Sequence, residues 1–391
     1  MYSLEIFSGA GGLAKGFELI GFKHVAFVEH NKNACESLRA NFNSGNVFFG
    51  DIQNYDFSIL PEVDVVAGGP PCQPFSLGGK HMAEQDSRDM FPYAIRSIRE
   101  LAPKMFIFEN VKGLLRTSFS DYFDYIILRL SHPDHDERLS NNWADHLQEL
   151  RHLRNDSCNG LSYDVSYKLI RASNYGVPQL RERVFIVGVR SDLDMEWKFP
   201  IETHSEERLL WDMYVTGEYW ERHHVPVQKR LALNHTLDNR VSKLINKYGM
   251  FEPELQPWQT VRDAISNLPS PDSNHGINDH HFRGGARTYP GHTGSNYDWP
   301  AKTIKAGGHG VPGGENMIRY PDGQVRYFSV CEAKRIQTFP DEFVIKGAWG
   351  EAMRQIGNAV PVLLAEKMGR EALQTIRKVS SAVSVASHNA C

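Results

Sequence analysis

The stretch most plainly suited to covalent chemistry is Gly68-Gly69-Pro70-Pro71-Cys72-Gln73-Pro74-Phe75-Ser76. Three prolines and two glycines make a stiff loop around one thiol. The loop follows an apolar run, Val63–Ala67, that reads as a strand. In an open α/β sheet, ligands bind at the carboxyl ends of strands. A thiol held there beside free N–H groups loses its proton readily and acts as a nucleophile. A lone cysteine is more often a small buried hydrophobe, so the thiol needs company. Glu109-Asn110-Val111 supplies it, directly after another apolar strand, Met105–Phe108. A carboxyl group beside a thiol suits attack on C6 of a cytosine. Hydrogen bonding or protonation at N3 takes up the charge pushed into the ring, and C5 can then accept a methyl group.

A second constellation suits a nucleotide-like ligand. Phe7-Ser8-Gly9-Ala10-Gly11-Gly12 lies between an expected strand and an expected helix. Glycines there let the backbone turn tightly beside a ligand at the positive end of the helix. Glu29 ends the next strand, where an acid can bind a ribose diol. Asp51, in Gly50-Asp51-Ile52, ends the third, where a carboxylate can accept from an adenine amino group. Alone, this pattern serves a dinucleotide equally well, and its spacing is not GxGxxG.

Positioning these residues requires a parallel sheet. Leu4–Phe7, Val25–Glu29, Val47–Phe49, Val63–Ala67 and Met105–Phe108 are short apolar runs. Helical stretches at about Leu13–Leu19 and Ala34–Asn41 separate the first of them. The alternation predicts an α/β layer with crossover helices. Tyr163–Leu169 and Val184–Val189 read as late strands of the same layer. Residues 131–160 hold six acids, three arginines and four histidines and read as a solvated insertion. Residues 200–257 show no clear period, and 270–325 have the Gly, Pro, Asn and His content of loops. The chain turns helical from about Ser329, and 380–391 reads as a flexible tail.

Composition narrows the class. In 391 residues, 41% are hydrophobic and 23% charged, ordinary for a globular protein with one large and one smaller domain. There is no run of 18 apolar residues and no secretory pattern at Met1–Ile6, so no membrane association is expected. The five cysteines, at 35, 72, 158, 331 and 391, are scattered without CxxC, which suits a reducing compartment and no structural zinc. His132, His135, His146 and His152 lack matching carboxylate or Cys spacing, so no metal is expected. A net charge of −4 argues against a simple nucleic-acid coat. Yet residues 281–310 carry Arg283, Arg287, Lys302 and Lys305 against the one acid Asp298.

Taken in order, these motifs resemble the DNA (cytosine-5) methyltransferase family over most of the chain. Phe7–Gly12, Glu29 and Gly50-Asp51-Ile52 resemble its first three motifs. Gly69–Ser76 matches the catalytic motif at every fixed position, and Asp86-Ser87-Arg88 resembles the end of the mobile loop. Glu109–Gly113, Tyr175–Arg183, Arg326–Pro340 and Gln355–Pro361 follow as the Glu-Asn-Val, Gln-x-Arg-x-Arg, ninth and tenth motifs. Cys331, Lys334 and Ser329 depart from the common pattern of the ninth.

The resemblance implies a Rossmann-like α/β S-adenosylmethionine-dependent methyltransferase domain, 1–190 plus 326–379 with the 131–160 insertion. It also implies a smaller, irregular target-recognition domain at 191–325. Cys72 would add to C6. Glu109 and Arg183 would contact a flipped cytosine, with Arg181 helping to position the site. S-adenosylmethionine would be held by Phe7, Gly9, Gly11, Gly12, Glu29, His30, Asp51, Ile52, Pro71, Asn358, Ala359 and Val360. Loop 76–90, opening at Gly78-Gly79, would close over DNA. The DNA contacts expected are Ser76, Arg88, Arg283, Arg287, Lys302, Thr303, Lys305 and His309, with flanking loops at about 283–300 and 305–319. Thr303-Ile304 stands for the family's Thr-Leu-like pair. The expected partner is double-stranded DNA, with a separately acting restriction endonuclease where a restriction-modification system exists. A monomer in the cytoplasm of a prokaryotic cell, associated with the nucleoid, completes the expectation. A tRNA cytosine-5 methyltransferase of the same fold is the alternative.

Overall fold

A computed structural model describes residues 1–43, 45–71, 89–135, 143–153, 160–230, 235–306 and 316–388, the last ten of these as backbone only. Two compact units result: Met1–Ile170 with Glu182–Pro200 and Ala365–Cys391, and Arg171–Arg181 with Ile201–Leu364.

The first unit is a sheet flanked by helices. Its elements are β1 (Tyr2–Ile6), α1 (Gly12–Leu19), β2 (Lys23–Glu29), α2 (Lys32–Asn41), β3 (Asn46–Phe49), β4 (Val65–Gly68), α3 (Phe91–Leu101), β5 (Met105–Val111), α4 (Ser120–Ser131), α5 (Trp143–Leu153), β6 (Tyr163–Arg171) and β7 (Glu182–Arg190). The strand order is β3-β2-β1-β4-β5-β7-β6. Strands β1 to β5 pair in parallel, whereas β7 runs antiparallel to β5. All seven expected strands are present within two or three residues. The reversal at β7 leaves no trace in hydropathy, because a strand buried on both faces reads the same in either direction. Val65, Val66, Ala67, Phe106, Ile107 and Phe108 are fully buried, as central strands require.

The expected solvated insertion at 131–160 is corrected. Within it, α5 places Leu147 and Leu150 in the main core, and Trp143 packs against that core. The Trp143 ring meets Tyr122 edge-on, with centroids 5.7 Å apart. Residues 143, 147 and 150 form a stripe at helical spacing; the surrounding charges obscure it. Arg151 pairs with Asp121 and Asp124 at 3.1 and 2.8 Å on the outer face.

The second unit contains β8 (His204–Ser205), α6 (Glu206–Tyr214), α7 (Glu218–Arg222), α8 (His235–Tyr248), β9 (Gln256–Pro257), α9 (Val261–Ile265), β10 (Ser295–Asn296), β11 (Met317–Arg319), β12 (Val325–Tyr327), α10 (Val330–Ile336) and α11 (Trp349–Asn358). Residues 200–257, without clear period in sequence, are thus largely helical. Leu209, Met213, Tyr219, Trp220, Val225 and Trp258 form their core. Ser205 caps α6 by accepting from Arg208 N, a start signal the composition obscures. Among the described residues of 270–325 the regular elements are the short strands β10, β11 and β12, as the loop composition predicts. The Arg326–Leu364 stretch groups with this second unit, where the sequence reading puts it with the first. Ser329 caps α10, and Lys334 directs its ammonium to the carbonyls of Asp341 and Phe343, so these two departures serve the scaffold. Helix α12 (Val362–His388) continues through most of the expected tail.

One buried pair in the first unit sets a pH dependence. Glu5 and His24 are almost fully buried, 3.6 Å apart. Burial pushes the Glu5 carboxyl up to about 8 and the His24 imidazole down to about 4. His24 Nε2 lies 3.0 Å from Ala14 O and carries the proton, so Nδ1 accepts from Ser3 Oγ at 2.8 Å. Unfolded Glu5 ionises near 4.5, so its share of stability is lost as pH rises from there to about 8. His24 acts oppositely: its share is lost as pH falls from 6.5 towards 4. Glu5→Gln is therefore expected to stabilise the fold increasingly as pH rises from about 4.5 to about 8, by about 1–4 kcal/mol at the upper end. Urea midpoints on either side of that window check it; parallel pH trends in variant and wild type would contradict it.

Candidate active site

Strand register brings the motif residues to one edge. Ile6 pairs with Val28 and with Gly68, Glu29 with Phe49, and Gly68 with Phe108. Phe7, Glu29, Gly50-Asp51, Gly69-Pro70-Pro71 and Glu109 therefore leave the sheet at the same carboxyl edge. Gly68 is itself required there: a Cβ would lie 2.0 Å from Ile6 O.

The turn after β1 is shaped by positive φ angles at Phe7 (52°), Gly9 (54°) and Gly11 (87°). A bulky residue rarely adopts such a φ. Phe7 holds it with its ring packed against the core. Gly11 has no alternative, since a Cβ would sit 2.7 Å from the Phe42 ring. Above Gly9 the space is open within 4 Å. Glu29 is 6% exposed. Its Oε2 accepts from Gly9 N and its Oε1 from Asn31 N, each at 2.8 Å. Two bonds to four lone-pair positions leave acceptor capacity for a diol. His30 is exposed, with Nδ1 3.3 Å from Glu29 Oε1. Asp51 caps the 3-10 turn Ile52–Asn54, its Oδ1 accepting from Gln53 N at 2.9 Å. Ile52 is buried in the main core.

On the neighbouring strands, Glu109 and Arg183 meet. Val111 pairs with Arg183 and Glu109 with Phe185, so the two side chains are diagonal neighbours on one face. Arg183 Nε lies 2.6 Å from Glu109 Oε1, and both side chains are largely buried. A Cβ on Gly69 would lie 3.3 Å from Glu109 Oε2, so this carboxylate borders the Pro-Pro segment. Asn110 Nδ2 donates to Pro70 O at 2.9 Å, an anchor to which the sequence reading assigns no role. Beyond it, Met90 N donates to Pro71 O at 3.1 Å. Cys72, Ser76 and Arg88 lie outside the described residues, as does most of loop 76–90.

The remaining expected residues belong to the second unit. Arg181 is 1% exposed and directs Nη1 towards Ile304 O at 3.5 Å. Thr303 Oγ1 donates to Leu180 O at 3.0 Å. Lys302 Nζ donates to Thr293 Oγ1 at 2.7 Å. Lys305 and Arg287 are exposed. Arg283 lies over the Trp349 ring, 4.6 Å from its centroid. Asn358 is exposed, and Ala359 and Val360 are buried. His309 lies outside the described residues. Among the described residues no cluster of His, Cys, Asp and Glu is arranged to hold a metal, and no helix is long and apolar enough to cross a membrane.

The first unit, a largely parallel sheet with a glycine turn, an acidic strand end and a carboxylate–guanidinium pair along one edge, is a Rossmann-like α/β catalytic domain. Residues 1–136 and 140–374 match the model of the C-5 cytosine-specific DNA methylase family. The Type II methyltransferase M.PspPI of Psychrobacter sp. is 32% identical over 385 residues, 96% of this chain and 80% of that protein. M.NgoMIV of Neisseria gonorrhoeae, also a Type II methyltransferase, is 30% identical over 382 residues, 96% and 98% of the two chains. The crystal structure of a Spodoptera frugiperda DNMT2 variant shares the fold at a TM-score of 0.55 and 16% identity, covering 95% of this chain and 99% of that one. This chain belongs to the C-5 cytosine-specific DNA methylase family and is a DNA (cytosine-5) methyltransferase.

Proposed function

We propose that the protein transfers the methyl group of S-adenosylmethionine to C5 of a cytosine within a specific double-stranded DNA sequence, with Cys72 adding to C6. The carrying observation is the Glu109–Arg183 pair beside Gly69-Pro70-Pro71, the segment that leads into Cys72. The open space above Gly9 and the buried acceptor Glu29 fit the adenosine part of the cofactor, with Phe7, Gly11, Gly12, His30, Asp51, Ile52 and Pro71 along the same edge. When bound, S-adenosylmethionine supplies an electrophilic methyl group. Asn358, Ala359 and Val360 are assigned to the cofactor by resemblance to the tenth motif.

The residues act on the base as follows. The cytosine leaves the duplex, at a cost of about a few kcal/mol, because C5 and C6 are unreachable in the stack. The Cys72 thiolate forms a bond to C6. Glu109 hydrogen-bonds the N3 side of the ring, and Arg183 holds both Glu109 and the base. Charge delocalised towards C5 makes that carbon the nucleophile for the methyl group. Loss of the C5 proton to a base and departure of Cys72 restore the aromatic ring. Arg181 positions the Thr303-Ile304 segment. Ser76, Arg88, Arg283, Arg287, Lys302, Thr303, Lys305 and His309 contact DNA, with 191–325 as the target-recognition domain. The relatives' Type II names support a restriction-modification role with a separate endonuclease, and a monomer in the prokaryotic cytoplasm is the expected working form.

Radiolabelled methyl transfer to duplex DNA and to tRNA, followed by bisulfite sequencing of DNA from expressing cells, tests this. Methylcytosine at one repeated sequence is expected. Labelling of tRNA alone, or of neither, would overturn the proposal.

A further inference from the structure

Two glutamines in the second unit have no exposed surface, and no charge lies between them: Gln179 and Gln337. They join segments far apart in sequence. Ile304 N donates to Gln179 Oε1 at 3.2 Å. Gln179 Nε2 donates to Gln337 Oε1 at 3.2 Å. Gln337 Nε2 donates to Ile356 O at 2.6 Å and Ala359 O at 3.2 Å.

A side-chain amide can be turned end for end, but here the surroundings permit one orientation. Two backbone carbonyls face one end of Gln337, so that end must be the NH2 group. Its oxygen then faces Gln179, which must present its own NH2. The Gln179 oxygen is left for the Ile304 N–H. Every donor points the same way, from the Thr303-Ile304 pair to the end of α11. Buried hydrogen bonds aligned in this manner polarise one another.

Both ends of the chain are tightly placed. A Cβ on Gly357 would lie 2.7 Å from Ala306 N and from Lys305 C, so α11 packs directly on the backbone that follows Ile304. Val362 N donates to Gln337 O at 3.1 Å, tying the start of α12 to the same residue.

We propose that Gln179 and Gln337 are positioning residues that form a buried amide relay coupling DNA binding at 301–306 to cofactor binding at 358–360. This rests on the functional reading above, which gives those segments to DNA and to S-adenosylmethionine. Displacement of the Ile304 N–H by DNA shifts the amide chain and with it the Ile356 and Ala359 carbonyls.

The test measures S-adenosylhomocysteine affinity by calorimetry with and without a duplex carrying the site found by bisulfite mapping. The wild-type protein is expected to bind it at least about fivefold more tightly with DNA present, an ordinary coupling factor. Gln179→Met and Gln337→Met keep side-chain bulk but lose the amide. Each should bring that factor within about twofold of unity, and the double variant should go no further than either single one. Binding of S-adenosylhomocysteine alone should change less than about threefold. A wild-type coupling factor in a folded single variant, additive losses in the double variant, or no coupling in the wild type would each overturn the relay. Failure of the wild type to bind either probe would instead overturn the functional reading. If a Met variant does not fold, Gln179→Asn and Gln337→Asn make the same test, because the shorter amide breaks the chain while remaining polar.

Discussion

Cys72→Ala is expected to lower methyl transfer by about 10⁵-fold or more, the scale on which removal of a nucleophile acts in enzymes that form covalent intermediates. The same change should abolish covalent capture of DNA containing 5-fluorocytosine. The chemistry makes capture specific. Addition of the thiolate to C6 and methylation at C5 leave a ring that must lose a C5 substituent as a cation before Cys72 can depart. Hydrogen leaves as a proton; fluorine cannot leave in that way, so the sulfur–carbon bond persists. A band shifted by the mass of the 5-fluorocytosine strand on a denaturing gel, dependent on S-adenosylmethionine, is the readout. Cofactor binding by the variant should be close to wild type, since the groups proposed to hold the adenosine are Glu29, Asp51 and the turn at Gly9–Gly12. Equal capture by the wild-type and Cys72→Ala proteins would remove Cys72 from the mechanism. Loss of capture together with loss of cofactor binding would point to damage along the sheet edge instead.

Much of this edge was legible in the sequence because its chemistry is local. A glycine turn, an acid at a strand end and a Pro-Pro-Cys segment each sit within a few residues of an apolar strand. Strand register then does the rest: parallel pairing of β1, β2, β3, β4 and β5 aligns the ends of strands separated by tens of residues. Less local features were not legible. The antiparallel direction of β7 brings Arg183 beside Glu109, yet nothing in residues 182–190 announces a direction. The buried stripe of α5 was obscured by the charges of its outer face. In 200–257, caps and short helices were outweighed by mixed composition, although Ser205 followed by Glu206 and Glu207 is a helix start. Gln179 and Gln337 illustrate the limit most clearly. Each lies inside a motif, but a polar side chain gives no sign in sequence that its partner is 158 residues away.

Glu109→Gln is expected to lower kcat by about 10²–10⁴-fold, the range for a lost general acid or a charge-stabilising partner. Gln keeps the size and one hydrogen-bonding oxygen, but it cannot hold a proton for N3 or balance Arg183. The second loss complicates a single variant. Arg183 Nε lies 2.6 Å from the Glu109 carboxylate in a site that is mostly buried, so removing one charge strands the other. Breaking such a pair costs about 3–5 kcal/mol of stability, whereas replacing both members with neutral groups is often far milder. A fall in activity could therefore reflect either chemistry or unfolding. The double variant Glu109→Gln/Arg183→Gln separates them. It should recover most of the melting temperature lost by Glu109→Gln and none of the kcat. KM for DNA should move less than about threefold in the single variant, because the residues proposed to hold the duplex backbone lie elsewhere. Recovery of turnover with recovery of stability would mean that the pair braces β5 against β7 and takes no part in holding the base.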